Sequence, residues 1–258
     1  MDYHFGFDVS VDYHRLTFAY GKDTFGPRPE YRHLRDIRQS LLDSHAQGPE
    51  ILYSIAMAVG RIKDYDDLTK RMLLYGIVIF NKGRIGVEPV RSQGHIHAVS
   101  CSVHSSTPEV YEVWDGQAII YMQEFTQNNP GHCYAVYAEK GDIVVVPPAW
   151  AHCTINADSD HHLIFGAWCV RDYAFDYRAI RAHKGLAFYP IVNQSGQITW
   201  RHNVHYQQAN LQEKKPRDYT DLRLTNSLSI YEQYIQNHDC FNFITRPGYN
   251  YLWENYRP

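Results

Sequence analysis

The middle of this chain consists of short segments rich in Val, Ile and Tyr, and Gly, Pro and Asn residues separate one segment from the next. These segments occupy residues 50–58, 71–80, 110–122, 134–138, 142–146 and 161–170. A turn at 193–196 joins two further runs, 188–192 and 197–200, and predicts one more hairpin. Strands at this spacing favour an antiparallel sandwich or barrel over alternating strand–helix units. We therefore expect a mainly β fold.

The two ends of the chain have a different pattern. Aromatic and apolar residues alternate with polar ones from Tyr3 to Tyr13, which predicts one or two strands. Residues 31–45 carry apolar side chains at helical spacing, and a second helical pattern covers 220–236. We predict one structural domain, because the ends are too short for cores of their own. Its parts are an N-terminal arm of strands and one helix at 1–49, a β-barrel at 50–204 and a helical extension at 205–258.

Charge and cysteine usage exclude several classes of protein. Twenty-eight acidic residues against twenty-five basic ones give a net charge of −3, which argues against a mainly electrostatic nucleic-acid binder. No apolar stretch approaches the roughly 20 residues that a membrane span needs, and the first residues show no secretory signal. Five cysteines without a CxxC pair suit a reducing compartment, so we expect a cytoplasmic protein. Fifteen histidines point to metal or acid–base chemistry.

A His-x-His pair is the most informative motif in the sequence. Alternate residues of a strand share a face, so His95 and His97 point the same way and can reach one divalent ion. Glu109 and Tyr111 share a face in the same manner, so a carboxylate and a phenol project together. Further on, a buried strand ends at a double proline and His152 follows it. A lone His-x-His pair is more often an accident, but the added carboxylate and third histidine favour a metal site.

These segments resemble the two motifs of the cupin family. The matching residues are His95, His97, Glu109 and Gly116 in the first motif and Gly141, Pro147, His152 and Asn156 in the second. More narrowly, the strings GHxHA, EVY and VPPxWAH resemble the cupin-type glucose-6-phosphate isomerases, which are metal-dependent enzymes of archaea and bacteria. Asp176 with Tyr177 and Lys184 with Gly185 also fit, and the resemblance covers roughly residues 30–200.

The resemblance implies a cupin fold, which is a double-stranded β-helix or jelly-roll barrel, here with helical N- and C-terminal extensions. It implies one divalent metal ion held by His95, His97, Glu109 and His152. Three imidazoles and a carboxylate suit Fe, Mn, Zn or Ni. It also implies that Tyr53, Gly94 and Tyr111 line the site of a small phosphosugar, with Ser92 where the family often has Thr. Exposed strands and the resemblance both point to a homodimer.

Several positions depart from the family pattern. Eleven residues separate His97 from Glu109, more than is usual, so the segment 101–108 must loop out if Glu109 keeps its place. His104 on this segment is a rival ligand, although a surface histidine on a Ser-rich loop is the favoured interpretation. Four substrate-side positions also differ from the family, and they are Val78, Ala149, Cys169 and Phe175. These departures leave the metal set intact and put the identity of the sugar in question.

The reaction that the resemblance implies is an aldose–ketose isomerisation between glucose 6-phosphate and fructose 6-phosphate. Glu109 is placed to act as the base in a route through a cis-enediol, and Tyr111 to hold or relay a hydroxyl proton. Tyr111 is otherwise a barrel-filling aromatic, and a direct hydride shift is the other route. The alternatives are a cupin isomerase of another sugar or sugar phosphate, a non-catalytic metal-containing sugar-binding cupin, and a dioxygenase.

A phosphate group on the substrate needs hydroxyl, amide or cationic donors. Two groups of cations flank the predicted barrel, one before the His-x-His strand and one after the last core strand. They are Lys82, Arg84 and Arg91, and Arg171, Arg178 and Arg181. We expect most of them to be solvated surface charges and one or two to lie at the barrel mouth. The sequence does not distinguish which.

Overall fold

The computed structural model describes residues 5–246 and 251–258, so Tyr3 lies outside the described residues. The strands β1 to β20 of this part of the chain are, in order, Val9–Asp12, Thr17–Tyr20, Thr24–Phe25, Glu30–His33, Ile51–Met57, Gly60–Arg61, Leu73–Phe80, Arg84–Ile85, Glu88–Pro89, Ile96–His97, Glu109–Asp115, Gln117–Gln123, Cys133–Glu139, Ile143–Val146, Ala151–Asn156, Leu163–Val170, Phe175–Asp176, Phe188–Val192, Ile198–His202 and Leu211–Lys214. The helices α1 to α5 are Leu34–Ile37, Tyr65–Lys70, Arg178–Ala182, Ile230–Gln236 and Asn242–Thr245. Short 3-10 turns cover Arg38–Ser40, Ile62–Asp64 and Thr220–Leu222.

Two sheets form the body of the molecule. The larger has six strands in the order β14-β11-β16-β7-β5-β4, and the smaller has four in the order β15-β12-β13-β20. Adjacent strands are antiparallel except for β13 and β20, which run parallel. The central strands β7 and β16 are buried along their whole length, because both faces of the larger sheet are covered. The mainly β fold predicted from the sequence is confirmed.

Cross-strand rows on the inner face of the larger sheet determine what faces the interior. One row joins Phe80, Tyr53 and Arg32 on β7, β5 and β4. The neighbouring row joins Phe165, Val78 and Ile55 on β16, β7 and β5, and continues to Glu30 on β4. Directly opposed residues of antiparallel strands place their side chains on one face. The inner face is therefore apolar at its centre and charged at its β4 edge.

The C-terminal segment packs on the outer face of the larger sheet. The carboxylate of Glu112 on β11 accepts a hydrogen bond of 3.0 Å from the backbone N–H of Ile230, the first residue of α4. The indole of Trp168 on β16 donates to the carbonyl of the same residue at 3.2 Å. Tyr231 lies flat against Trp168, with ring centroids 5.3 Å apart. The outer face, which would otherwise expose aromatic residues, is covered by α4.

Three local predictions need correction. The helix predicted over 31–45 is only the single turn α1 plus a 3-10 turn, because Glu30–His33 instead forms β4 and pairs with β5. The extension beyond residue 205 is not wholly helical, since β20 adds to the smaller sheet. The pattern over 220–236 contains a helix only at Ile230–Gln236. The hairpin predicted near residue 193 is confirmed as β18 and β19.

The arm predicted at 1–49 supplies the edge strand β4 of the larger sheet. The division into arm, barrel and extension stays a prediction. No helix among the described residues is long and apolar enough to cross a lipid bilayer.

Candidate metal centre

The four predicted metal ligands meet where the two sheets face each other. One side-chain donor atom from each of His95, His97, Glu109 and His152 lies within 4.8 Å of the others. Glu109 begins β11 in the larger sheet, and His152 lies on β15 in the smaller one. Reciprocal backbone hydrogen bonds of 3.0 Å join His95 to His152. The barrel therefore brings residues from three separate stretches of sequence to one point.

Backbone carbonyls set the orientation of two of the imidazoles. Nδ1 of His97 lies 3.0 Å from the carbonyl oxygen of Thr107, and Nδ1 of His152 lies 3.1 Å from that of Trp150. A carbonyl accepts a hydrogen bond, so each contact favours a proton on Nδ1, and the Nε2 of a neutral ring then presents its lone pair to the interior. Both Nε2 atoms face Oε2 of Glu109, at 3.0 Å and 3.2 Å.

This arrangement fits a divalent cation. The buried Nε2 atoms of His95 and His97 have no hydrogen-bond partner among the described residues, even though His97 is close to Glu109. Two imidazole lone pairs directed at a carboxylate repel it unless each carries a proton or a cation lies between them. Burial, reinforced by His152 and His97, lowers the pKa of His95 well below its ordinary value, so this ring is neutral. Neutral imidazole nitrogens and one carboxylate are donors that Fe, Mn, Zn or Ni accepts.

Glu109 and Tyr111 form a coupled pair beside these imidazoles. Burial alone would raise the pKa of Glu109, but its contacts with His152 and His97 outweigh it and hold the pKa well below its ordinary value. The hydroxyl of Tyr111 donates to Oε2 of Glu109 at 2.8 Å. Burial and the neighbouring carboxylate raise the pKa of Tyr111 well above its ordinary value. The pair is thus an ionised carboxylate hydrogen-bonded to a neutral phenol.

A cavity opens onto this cluster and contains all the predicted substrate-side residues. Tyr53, Ser92, Gly94 and Tyr111 line it together with His95 and Glu109. Gly94 has a φ of +89°, and a Cβ there would lie 2.8 Å from Cδ1 of Leu186, so glycine is required where the chain turns into the cluster. The hydroxyl of Ser92 accepts a hydrogen bond of 3.1 Å from the backbone N–H of Thr154.

Much of the cavity wall is apolar. The side chains of this wall are Ile55, Met57, Val78, Phe80, Phe165 and Phe175. Two of the four departures from the family pattern, Val78 and Phe175, are among them. The ring of Phe175 lies 4.1 Å from that of His95 and covers it. Of the other two departures, Cys169 is buried and Ala149 is exposed with a φ of +64°.

The segment 101–108 loops out, as predicted, and Glu109 keeps its place. His104 is exposed and lies outside the cluster of four donors. The end of the segment nevertheless supports that cluster, because Ser106 Oγ donates to the carbonyl of His97 and accepts from the N–H of Ala149, both at 2.8 Å. Asp172 anchors the other end through Ser100, at 2.7 Å. Sequence reasoning predicted the loop and missed its contacts with a ligand residue.

Arg32 is the other residue that sequence reasoning missed. It lines the cavity from β4, outside every motif that drew attention. Of the cations considered from the sequence, Arg91 is buried in an ion pair of 2.7 Å with Glu88. Arg178 is paired with Asp176 at 2.6 Å. Glu30 and Arg32 are two residues apart, so predicting a strand here would have placed both side chains on one face.

Two facing sheets with a cluster of three histidines and a glutamate between them define a cupin with a cluster that could hold a metal ion. A family model described as glucose-6-phosphate isomerase (GPI) matches residues 37–209. The chain belongs to this family of isomerases, and the family predicted from the sequence is confirmed.

Named relatives agree with this assignment. Glucose-6-phosphate isomerase of Thermococcus litoralis is 28% identical over 178 residues, which cover 67% of this chain and 84% of the relative. The enzyme of the same name from Pyrococcus furiosus is 26% identical over 179 residues, covering 67% and 85%. Among solved structures, oxalate decarboxylase from Bacillus subtilis is similar at a TM-score of 0.36 and 17% identity, over 48% of this chain and 27% of that one.

Proposed function

We propose that this protein is a metal-dependent aldose–ketose isomerase that interconverts glucose 6-phosphate and fructose 6-phosphate. The observation that carries the proposal is the cluster of four donors within 4.8 Å of one another, open to a cavity that also contains Tyr111. Membership of the glucose-6-phosphate isomerase family supports the choice of reaction and of substrate.

His95, His97, Glu109 and His152 would hold one divalent ion, of Fe, Mn, Zn or Ni. When bound, such an ion would supply a Lewis acid toward O1 or O2 of the sugar. The carbonyls of Thr107 and Trp150 keep two of the imidazoles in the tautomer that this role requires.

Glu109 would move a proton between C1 and C2 of the substrate. Among the described residues, its hydrogen bonds and ion pairs all reach Oε2, which leaves Oε1 without a protein partner. Oε1 can therefore take a proton while Oε2 keeps its contacts. Tyr111, a neutral phenol within the same cavity, would hold or relay the proton of a substrate hydroxyl. Transfer of the hydrogen as a hydride from C2 to C1 is the second route, and it needs no base at Glu109.

Tyr53, Ser92 and Gly94 would contact the sugar. All three line the cavity, Tyr53 and Ser92 through hydroxyl groups and Gly94 through a backbone that no side chain obstructs. The apolar wall opposite them favours a tight fit to the carbon skeleton over many polar contacts.

The test is conversion of fructose 6-phosphate to glucose 6-phosphate by the purified protein as isolated, after chelation, and after return of Fe, Mn, Zn or Ni. We expect activity that disappears with chelator and returns with one or more of the metals. Stoichiometric metal with no conversion under any condition would contradict the proposal. It would favour an isomerase of another sugar, given that Val78 and Phe175 lie in the cavity wall.

Two further features stay predictions of the sequence. A homodimer is expected from exposed strand edges such as β4, which ends the larger sheet and has exposed side chains at Glu30 and Tyr31. Sedimentation of the purified protein would test it. The cytoplasmic location is expected from the cysteine usage.

A further inference from the structure

The cavity has to bind a dianionic phosphate if the proposed function is right, and the apolar part of its wall cannot do so. The six apolar side chains that face the interior offer no hydrogen-bond donor to an anion. The deep end is occupied by the four donor side chains of the candidate metal centre. An anionic group of the substrate therefore needs cationic or hydroxyl donors, and the mouth of the cavity supplies both.

Arg32 stands at that mouth. Among the described residues that line the cavity, it is the only lysine or arginine. It lies on the edge strand β4 directly opposite Tyr53, at the end of the row that begins with Phe80. The ring of Tyr53 stacks on Phe80 with centroids 4.5 Å apart, which holds its hydroxyl end beside Arg32. The Arg32 side chain is 31% exposed, so it is accessible from solvent and still faces the interior.

Tyr177 connects this mouth to the metal cluster. Its ring lies 6.2 Å from that of His95, and it is within electrostatic reach of Arg32. Burial raises the pKa of Tyr53 and of Tyr177, so both phenols are protonated hydrogen-bond donors. One guanidinium and two phenol groups thus line the same cavity. This is the donor set that a phosphate ester accepts.

We propose that Arg32, from the N-terminal edge strand, is the specificity-determining residue that anchors the phosphate group of the substrate, with the hydroxyls of Tyr53 and Tyr177 as further donors. The proposal rests on the proposed function for the identity of the rest of the substrate. The guanidinium fork matches a phosphate bidentately, whereas a lysine supplies only a point charge.

The proposal predicts opposite effects on phosphate binding for changes at Glu30 and at Arg32. Its carboxylate accepts a hydrogen bond of 3.0 Å from Nη1 of Arg32 and is 69% exposed. A phosphate that binds Arg32 must displace or repel this carboxylate. Removing the charge at Glu30 should therefore tighten phosphate binding, whereas removing the charge at Arg32 should weaken it.

The experiment compares Arg32→Gln, Arg32→Lys, Glu30→Gln and Arg181→Gln with the wild-type protein, all loaded with the same metal. Arg181 is the matched control, because it is an exposed arginine that contacts the Tyr177 ring and donates to Gln93 but does not line the cavity. The measurements are KM and kcat for fructose 6-phosphate and calorimetric binding of inorganic phosphate. Metal content and thermal unfolding show whether each variant is folded and loaded.

We expect Arg32→Gln to raise KM roughly 10- to 100-fold and to weaken phosphate binding equally, with kcat changed far less, as for loss of a charge-assisted hydrogen bond. Arg32→Lys should recover part of the loss, Glu30→Gln should lower KM a few-fold, and Arg181→Gln should match the wild type. An active enzyme whose KM and phosphate affinity do not respond to Arg32 would overturn the proposal and leave the proposed function intact. Phosphate binding that depends on Arg32 in a protein without isomerase activity would support the anchor and reject the proposed function.

Discussion

The hydroxyl of Tyr111 donates a 2.8 Å hydrogen bond to Oε2 of Glu109, two residues before it on the same strand face. Both side chains are buried, and the same carboxylate oxygen faces Nε2 of His97 and of His152. Tyr111 thereby fixes one oxygen of the carboxylate and leaves the other free. The Glu109 side chain therefore belongs both to the candidate metal site and to the candidate proton-transfer site.

Tyr111→Phe removes this hydrogen bond while keeping the ring that packs against Phe165. We expect kcat to fall roughly 10²-fold or more, because a positioned proton relay is lost, with metal content unchanged. Steady-state kinetics and metal analysis would measure both. An unchanged kcat would reduce Tyr111 to a barrel-filling aromatic.

Glu109→Gln should abolish isomerisation and weaken metal binding by more than the roughly 10- to 100-fold typical of a lost outer partner, because it removes the one anionic donor of the cluster. The matched control is Glu112→Gln, at a buried glutamate on the opposite face of the same strand. That change weakens the contact with Ile230 and should lower the free energy of unfolding by about 1–3 kcal/mol without affecting metal binding. Equal metal binding by Glu109→Gln and wild type would exclude Glu109 as a ligand.

Ser106→Ala should weaken metal binding roughly 10- to 100-fold, since Ser106 joins the carbonyl of His97 to the N–H of Ala149 and so holds a ligand in place. Competition with a chromogenic chelator would measure the affinity. Ser105→Ala is the control, because the Ser105 side chain makes no hydrogen bond within the described part of the chain. If both variants bind metal like the wild type, the Ser106 side chain plays no part in positioning His97.

The packing of α4 should depend on pH through Asp67. Burial raises the pKa of this carboxyl, but hydrogen bonds from Tyr234 at 2.6 Å and Arg71 at 2.7 Å outweigh it and hold the pKa below its ordinary value of 3.8. A carboxyl with a depressed pKa in the folded state stabilises the fold above its unfolded-state pKa, and this contribution is lost as the pH falls through the folded-state value.

Chemical unfolding of wild type and Asp67→Asn between pH 7 and pH 3 tests this dependence. The wild type should be the more stable above pH 4, and the difference should shrink below that pH as Asp67 becomes protonated. A difference that stays constant down to pH 3 would mean that the charge of Asp67 contributes nothing.

The amino-acid sequence by itself determined the β segments and the side-chain parity within them. Strand parity depends only on local backbone geometry, so it placed Glu109 and Tyr111 on one face before any fold was known. The resemblance to the cupin motifs predicted the four donors that the structure brings within 4.8 Å. These features are local or carried by short motifs, which is why they could be read directly.

Only the tertiary structure decided which distant residues share the cavity. Arg32 reaches its mouth because β4 pairs with β5, and this pairing replaced the start of the helix that local periodicity predicted. Ser106 supports His97 because the loop folds back between Asp172 and Ala149. The physical reason is the same in each case. A contact between residues far apart in sequence depends on how the sheets pair and pack, and hydrophobic periodicity within one segment carries no information about that pairing.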